Sequence, residues 1–248
     1  MTRLAIIGGT GLDNIPDLEI IKCEISHTPY GEAAAALTYG RLAGREVIFL
    51  PRHGATHNIP PHRVNYRANL WALKQAGVDN VIGVAAVGGI TEVMAPGKIV
   101  IPDQIIDYTY DRDHTLFDTD LAQVTHIDFT HPYCETLRQR LIEAGRQSLD
   151  ELITNATYGA TQGPRLETLM EVRRLQRDGC DLVGMTGMPE ASLAREMGLC
   201  YACCAVVANW AAGKSDQLIS MEEIEKNLKI GMRDAKSLLT RFLTHHAE

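Results

Sequence analysis

The sequence predicts a single α/β domain, and three observations predict it. Short apolar or β-branched segments alternate with amphipathic ones along all 248 residues. No linker, internal repeat or low-complexity stretch interrupts that alternation, so 1–248 reads as one unit. Apolar residues make up 45% of the chain and charged residues 22%, an ordinary globular balance in a chain long enough to bury a sizeable core.

Strands are expected at 4–8, 46–51, 80–85, 98–101 and 199–207, each short, apolar and bounded by glycine, proline or polar residues. Several of these carry no polar alternation, which suits strands covered on both faces. A helix is expected over 64–75, ending at Gly77, and another over 189–197, with Pro189 in its first turn and Gly198 after its last. The C-terminal helix is the plainest. Ile224, Leu228, Met232, Ala235, Leu238, Leu239 and Phe242 recur every three or four residues opposite Lys226, Lys229 and Arg233, so this stripe reads as core or oligomer contact.

Charge narrows the function classes. The net charge of −7 is spread without a long basic run, which argues against a nucleic-acid partner. The start, Met1-Thr2-Arg3 followed by a short apolar strand, lacks the apolar region of a secretory signal, and no run reaches the length of a membrane span. A cytoplasmic location is therefore expected, with a small molecule as partner and no membrane. Of six cysteines, Cys200 and Cys203 form a C-x-x-C with no second pair, set in an apolar run. Buried reduced thiols are expected throughout, rather than redox or zinc chemistry.

Chemistry begins at Gly8-Gly9-Thr10-Gly11, directly after the first strand, where glycines let backbone N–H groups approach an anion and Thr10 adds a hydroxyl. A dinucleotide fingerprint would need a third glycine where Asn14 stands. Gly213-Lys214-Ser215 mimics the end of a phosphate loop, but Ala208 occupies the place of its leading glycine. The segment Pro51-Arg52-His53-Gly54-Ala55-Thr56-His57 gathers a guanidinium and two imidazoles. Arg52 can grip phosphate with two parallel N–H bonds, and His53 and His57 can add donors as they gain or share protons. The alternative reading is a solvated loop, or a histidine pair for a metal, which lacks a suitably spaced carboxylate.

Three more segments complete the pattern: V-A-A-V-G-G-I at 84–90, T-Q-G-P-R-L-E-T at 161–168 and V-G-M-T-G-M-P-E at 183–190. Together with the opening G-G-T-G and the stretch R-H-G-x-x-H…P-x-x-V-N-Y-R-A-N-x-W-A-L-K, they resemble the trimeric purine nucleoside phosphorylase and methylthioadenosine phosphorylase family, in the same order from Ile6 to the final helix. The resemblance implies the nucleoside phosphorylase fold, a central mixed twisted sheet flanked by helices. It also implies a row of phosphate, ribose and base sites. Phosphate, a co-substrate, falls to Thr10, Arg52, His53, the backbone at Ala85 and Ala86, and Thr186, with His57 nearby. Met185 would lie beneath the ribose. At Ala85 relatives carry Asn or Thr, so one side-chain contact is expected to be missing. No metal or organic cofactor is implied, and His126 would reach the neighbouring site of a homotrimer.

Hydrogen-bonding chemistry then separates the purines. Glu167, at the family's base-facing position, accepts from the N1–H of a 6-oxopurine and opposes the lone pair of adenine N1. Asn209 can donate to O6 and accept from a protonated N7, whereas the aspartate that adenine-specific relatives carry there can only accept. Ala211 stands where the adenine-type pattern has a second acid. Met221 aligns with the histidine that inosine-type relatives aim at the 5′-hydroxyl, and suits a methylthio group instead. The expected reaction is phosphorolysis of 5′-methylthioinosine to hypoxanthine and 5-methylthioribose 1-phosphate, with Asn209 as the catalytic residue. Alternatives are a general 6-oxopurine nucleoside phosphorylase, a methylthioadenosine phosphorylase and, from another class, a nucleotide-binding or redox protein. Blander roles exist for these side chains too: Glu167 as a helix cap, Asn209 as a turn residue, Met185 and Met221 as core.

Overall fold

The computed structural model describes residues 3–15, 17–118 and 124–245. In chain order the strands are β1 (Leu4–Gly8), β2 (Glu19–Glu24), β3 (His27–Thr28), β4 (Gly31–Glu32), β5 (Leu37–Leu42), β6 (Arg45–Pro51), β7 (Asn80–Gly89), β8 (Ile99–Val100), β9 (Gln104–Asp107), β10 (Thr157–Ala160), β11 (Leu182–Gly184) and β12 (Cys200–Trp210). The helices are α1 (Tyr66–Gln75), α2 (Glu135–Ser148), α3 (Leu169–Arg177), α4 (Gly187–Glu196) and α5 (Met221–His245).

All strands but β3 and β4 join one mixed sheet, ordered β2-β5-β6-β1-β7-β11-β10-β9, with β12 beside β7 and β8. β7 is its hinge. Along one side β12 runs parallel to it from Asn80 to Gly89. Along the other, β1 accompanies only Asn80 to Gly83, and β11 meets only Gly88 and Gly89, antiparallel. Between them, among the described residues, the backbone from Val84 to Val87 has no strand on that side.

Helices cover both faces. Leu70 and Leu73 of α1 and Ala191 and Leu193 of α4 belong to one core cluster; Leu137 and Leu141 of α2 and the stripe of α5 belong to the other. Strands in the middle are accordingly buried throughout, as in β1. The glycine stops act as expected, Gly77 and Gly198 taking positive φ just after α1 and α4, whereas α1 begins at Tyr66 and not at 64 because the Asn65 side chain caps it, accepting from the Ala68 amide. Met188 is non-helical, so the regular turns of α4 begin at Pro189.

Two strands outrun their expected ends. β7 continues to Gly89 and β12 to Trp210, because each pairs with the other to that point. Glycine, normally a weak strand residue, is required at 89: a Cβ there would lie 1.9 Å from the Met94 carbonyl oxygen.

The expectation of six reduced thiols is corrected: Cys134 and Cys200 form a disulfide. Residues three apart on a strand face opposite sides, so Cys200 turns away from Cys203 and toward Cys134, which precedes α2 and bonds the adjacent Tyr201 carbonyl through its amide. Cys180, Cys203 and Cys204 are free and buried, while Cys23 is free and exposed.

Candidate active site

The loop after β1, the end of β6 and the uncovered stretch of β7 converge on a cavity of about 590 Å³. Gly9 lines it so closely that a Cβ would come within 2.6 Å of the Val84 carbonyl oxygen and 2.9 Å of Arg52 Nη1. Only glycine allows that approach. Thr10, Arg52, His53, His57, Ala85, Ala86 and Thr186 also line the cavity, so the expected phosphate residues lie around one space.

Arg52 is the buried anchor, 1% exposed. Its Nε and Nη2 donate to the two oxygens of Glu190 at 2.6 and 2.7 Å, and Nη1 donates to the Val84 carbonyl at 2.8 Å. Burial alone would lower the guanidinium pKa, but the Glu190 carboxylate outweighs it and the net shift is upward. The side-on fork expected to grip phosphate is thus committed to Glu190. Of five donors, one on Nη1 and one on Nη2 remain for an anion.

His53 donates from Nδ1 to the Ile59 carbonyl at 2.8 Å. Burial, and then the adjoining Arg52 cation, push this imidazole down to about 4. It is therefore neutral near pH 7, with Nε2 a lone-pair acceptor. The donor role expected of His53 is revised accordingly: a neutral ring so tautomerised suits the P–OH of hydrogen phosphate rather than a bare oxygen. His57, in a left-handed conformation at φ 53°, pairs Nδ1 with Asp13 Oδ1 at 2.5 Å and lies 4.8 Å from the His53 ring.

A backbone amide and Thr186 also fall at the end where phosphate is expected. In a strand the N–H and C=O of one residue point to the same side and alternate along the chain. Because the Val84 carbonyl faces Arg52, the Ala86 amide faces the uncovered side as well, whereas Ala85 turns toward β12. Thr186 stands before α4, makes no capping bond with its hydroxyl and lines the cavity.

The residues expected to face the base also line the same cavity. Glu167 lines it, and the Thr161 hydroxyl donates to its Oε1 at 2.6 Å. It does not cap α3; Thr168 does, in a capping box with Glu171. Asn209 follows a register shift in β12, where one amide hydrogen goes to the Trp210 carbonyl at 2.7 Å. That leaves one N–H and the carbonyl oxygen for a purine edge. Ala211 and Met185 line the cavity too. The residues expected at the base, the sugar and the phosphate therefore line one cavity, and the model of the family described as "Phosphorylase superfamily" matches residues 3–244.

The chain belongs to the phosphorylase superfamily. A Pseudomonas syringae pv. tomato protein named "Probable S-methyl-5′-thioinosine phosphorylase" is 53% identical over 244 residues, covering 98% of this chain and 99% of the relative. The 6-oxopurine nucleoside phosphorylase of Pyrococcus furiosus is 43% identical, covering 96% of this chain and 91% of its own. Among solved structures, methylthioadenosine phosphorylase from Schistosoma mansoni in complex with adenine superposes with a TM-score of 0.93 at 30% identity, covering 99% of this chain and 92% of that one. This chain is accordingly an enzyme of the purine nucleoside phosphorylase type, a pentosyltransferase.

Two expected residues of this phosphorylase lie outside the cavity. Met221 opens α5 and is 67% exposed; the apolar lining there is Ile219, Ile224 and Leu228. The displacement arises in the irregular stretch before α5, where no periodicity fixes an alignment. His126 is exposed, on the segment between β9 and α2, and does not line the cavity of its own chain. The dinucleotide reading fails structurally, since among the described residues between β1 and β2 there is no helix to receive a pyrophosphate. Lys214 donates instead to Gln176.

Sequence reasoning missed Glu190 and Tyr201, whose hydroxyl donates to Glu190 Oε1 at 2.7 Å. Glu190 sits within the quoted 183–190 segment, but nothing local marks its partner. Among the described residues no group of three or more His, Cys, Asp or Glu side chains could hold a metal ion, and no helix is long and apolar enough to cross a membrane.

Proposed function

We propose that this phosphorylase cleaves 5′-methylthioinosine with inorganic phosphate, yielding hypoxanthine and 5-methylthioribose 1-phosphate, and that it acts as a cytoplasmic homotrimer without metal or organic cofactor. One observation carries the reading. Glu167, Asn209 and Ala211 line the cavity that also holds Arg52, and together they present an acceptor, an amide and no second acid to the base. The names of the Pseudomonas and Pyrococcus relatives support a 6-oxopurine.

Catalysis follows from where charge moves. As the C1′–N9 bond breaks, the ribosyl group becomes cation-like and the purine accumulates negative charge. Phosphate, oriented by Arg52, the Ala86 amide and Thr186, attacks C1′ from the face opposite the base and inverts it. Its own charge stabilises the oxocarbenium character. The free N–H of Asn209 meets O6, and its carbonyl oxygen accepts from N7–H once the departing base has taken up a proton from solvent at N7. The O6 bond tightens as charge reaches the base, so it accelerates the chemistry rather than only binding substrate. A mispaired purine edge costs on the order of 1–3 kcal/mol per buried group. Ile219, Ile224 and Leu228 supply an apolar lining that suits a thioether better than a hydroxyl.

A second reading, a general 6-oxopurine nucleoside phosphorylase, is favoured by Glu167 and Asn209 alone. Phosphate-dependent base release from methylthioinosine, methylthioadenosine and inosine decides between them. Methylthioinosine should give the highest kcat/KM. Faster release of adenine than hypoxanthine from the matched thioethers would refute the base assignment, and equal use of inosine would favour the second reading.

A further inference from the structure

Arg112 does not line the cavity, yet its guanidinium ties together two of the segments that do. It lies after β9, beside Asp111, a non-glycine residue at φ 51°. Nε donates to Gln162 Oε1 at 3.0 Å. Nη2 donates to the carbonyls of Thr161 and Gln162 at 3.2 and 2.7 Å, and Nη1 to those of Met185 and Met188 at 2.8 and 2.6 Å. All five donors are thereby engaged. None of these partners is a carboxylate, so the half-buried cation is held by backbone dipoles, one side-chain amide and Tyr66, whose hydroxyl accepts from Nη1 at 3.5 Å and whose ring lies beside it.

These acceptors belong to two stretches of chain. One is 161–162, whose Thr161 hydroxyl holds Glu167 and whose Thr161 amide donates to the Gly184 carbonyl at 2.8 Å. The other is 185–188, which carries Met185 and Thr186 into the cavity. A guanidinium is a rigid plane with donors at fixed angles, so carbonyls bonded to its two ends are held at a set separation. A lysine ammonium supplies the charge from a single nitrogen and cannot span both pairs of carbonyls in that way.

We propose that Arg112 is a positioning residue that sets the base-facing segment 161–167 against the sugar- and phosphate-facing segment 185–188, and that discrimination between purines depends on that setting. The second half rests on the 6-oxopurine reading given above. The first half stands on the hydrogen bonds alone.

Peptide-level hydrogen exchange and steady-state rates of the full-length protein test it in Arg112→Met and Arg112→Lys. In Arg112→Met, amides in 161–168 and 183–190 should exchange about 10-fold faster while those of α5 keep their protection, and the preference for 6-oxo over 6-amino nucleosides should fall about 10-fold. Arg112→Lys should show the same pattern in weaker form. Faster exchange throughout, α5 included, or a lower rate with the preference intact, would mean that Arg112 merely props the fold, and would overturn the proposal. Should the native protein itself favour 6-amino nucleosides, the substrate reading falls separately. Exchange in the two segments then judges Arg112, and unchanged protection there overturns its role.

Discussion

Arg52 and Glu190 form an ion pair whose side chains are each 1% exposed, a setting in which either charge alone would be expensive. Glu190→Gln keeps the shape but removes the charge that balances Arg52. It should lower stability by about 3 kcal/mol, read by chemical denaturation, and raise the KM for phosphate more than that for nucleoside. An unchanged phosphate KM would detach Arg52 from the anion. His53 makes a pH prediction. Its folded-state pKa of about 4 lies below the ordinary imidazole value, so between roughly pH 6.5 and 4 the unfolded chain binds the extra proton. Stability contributed by neutral His53 is therefore full above that window and lost as pH falls through it. His53→Gln should flatten this acid limb of Tm against pH relative to the native protein. At the base, Asn209→Asp combined with Ala211→Asp should shift the rate ratio toward methylthioadenosine. Because the Asn209 bond to the Trp210 carbonyl is lost as well, the ratio and not the absolute rate is the measure. Glu167 was legible as a cavity residue from the 161–168 segment, and Asn209 from the family resemblance. Glu190 was not, since its partner lies 138 positions away and only the fold brings them together.

At the scale of elements, the helices with sharp ends were legible from their caps, and α5 from its stripe. The short strands β9, β10 and β11 were not: three or four residues carry too little pattern, and pairing with neighbours makes them strands. The lengths of β7 and β12 were likewise set by each other rather than by propensity. α5 controls the end of β12 directly. Asn227 donates to the Ala208 carbonyl at 3.0 Å, next to Asn209, and Gly231 lets the helix rest on Val206, where a Cβ would sit 2.3 Å from Cγ1. Gly231→Val should therefore push helix from strand and cost about 1–3 kcal/mol by overpacking. Thermal unfolding measures the loss, and a neutral result would mean the interface has slack.

For the whole molecule, the cavity collects residues from just beyond the carboxyl ends of β1 and β6 and from the final turns of β7 and β12, the common place for ligands in parallel sheets. The proposed trimer adds a test at this scale. His126 is exposed on its own chain, so a role across an interface predicts that His126→Ala subunits mixed with Arg52→Gln subunits recover activity above either variant alone. Recovery that never exceeds the mean of the two would remove His126 from the neighbouring site.

Where β1 stops short and β11 has not yet begun, the Val84 carbonyl of β7 is taken by Arg52 and the Ala86 amide beside it faces the open side, available to something other than protein. For the phosphate site proposed there, affinity would follow from strand lengths more than from the side chain at 85. One extra residue of pairing at the end of β1 would close the ladder and should abolish phosphate-dependent turnover.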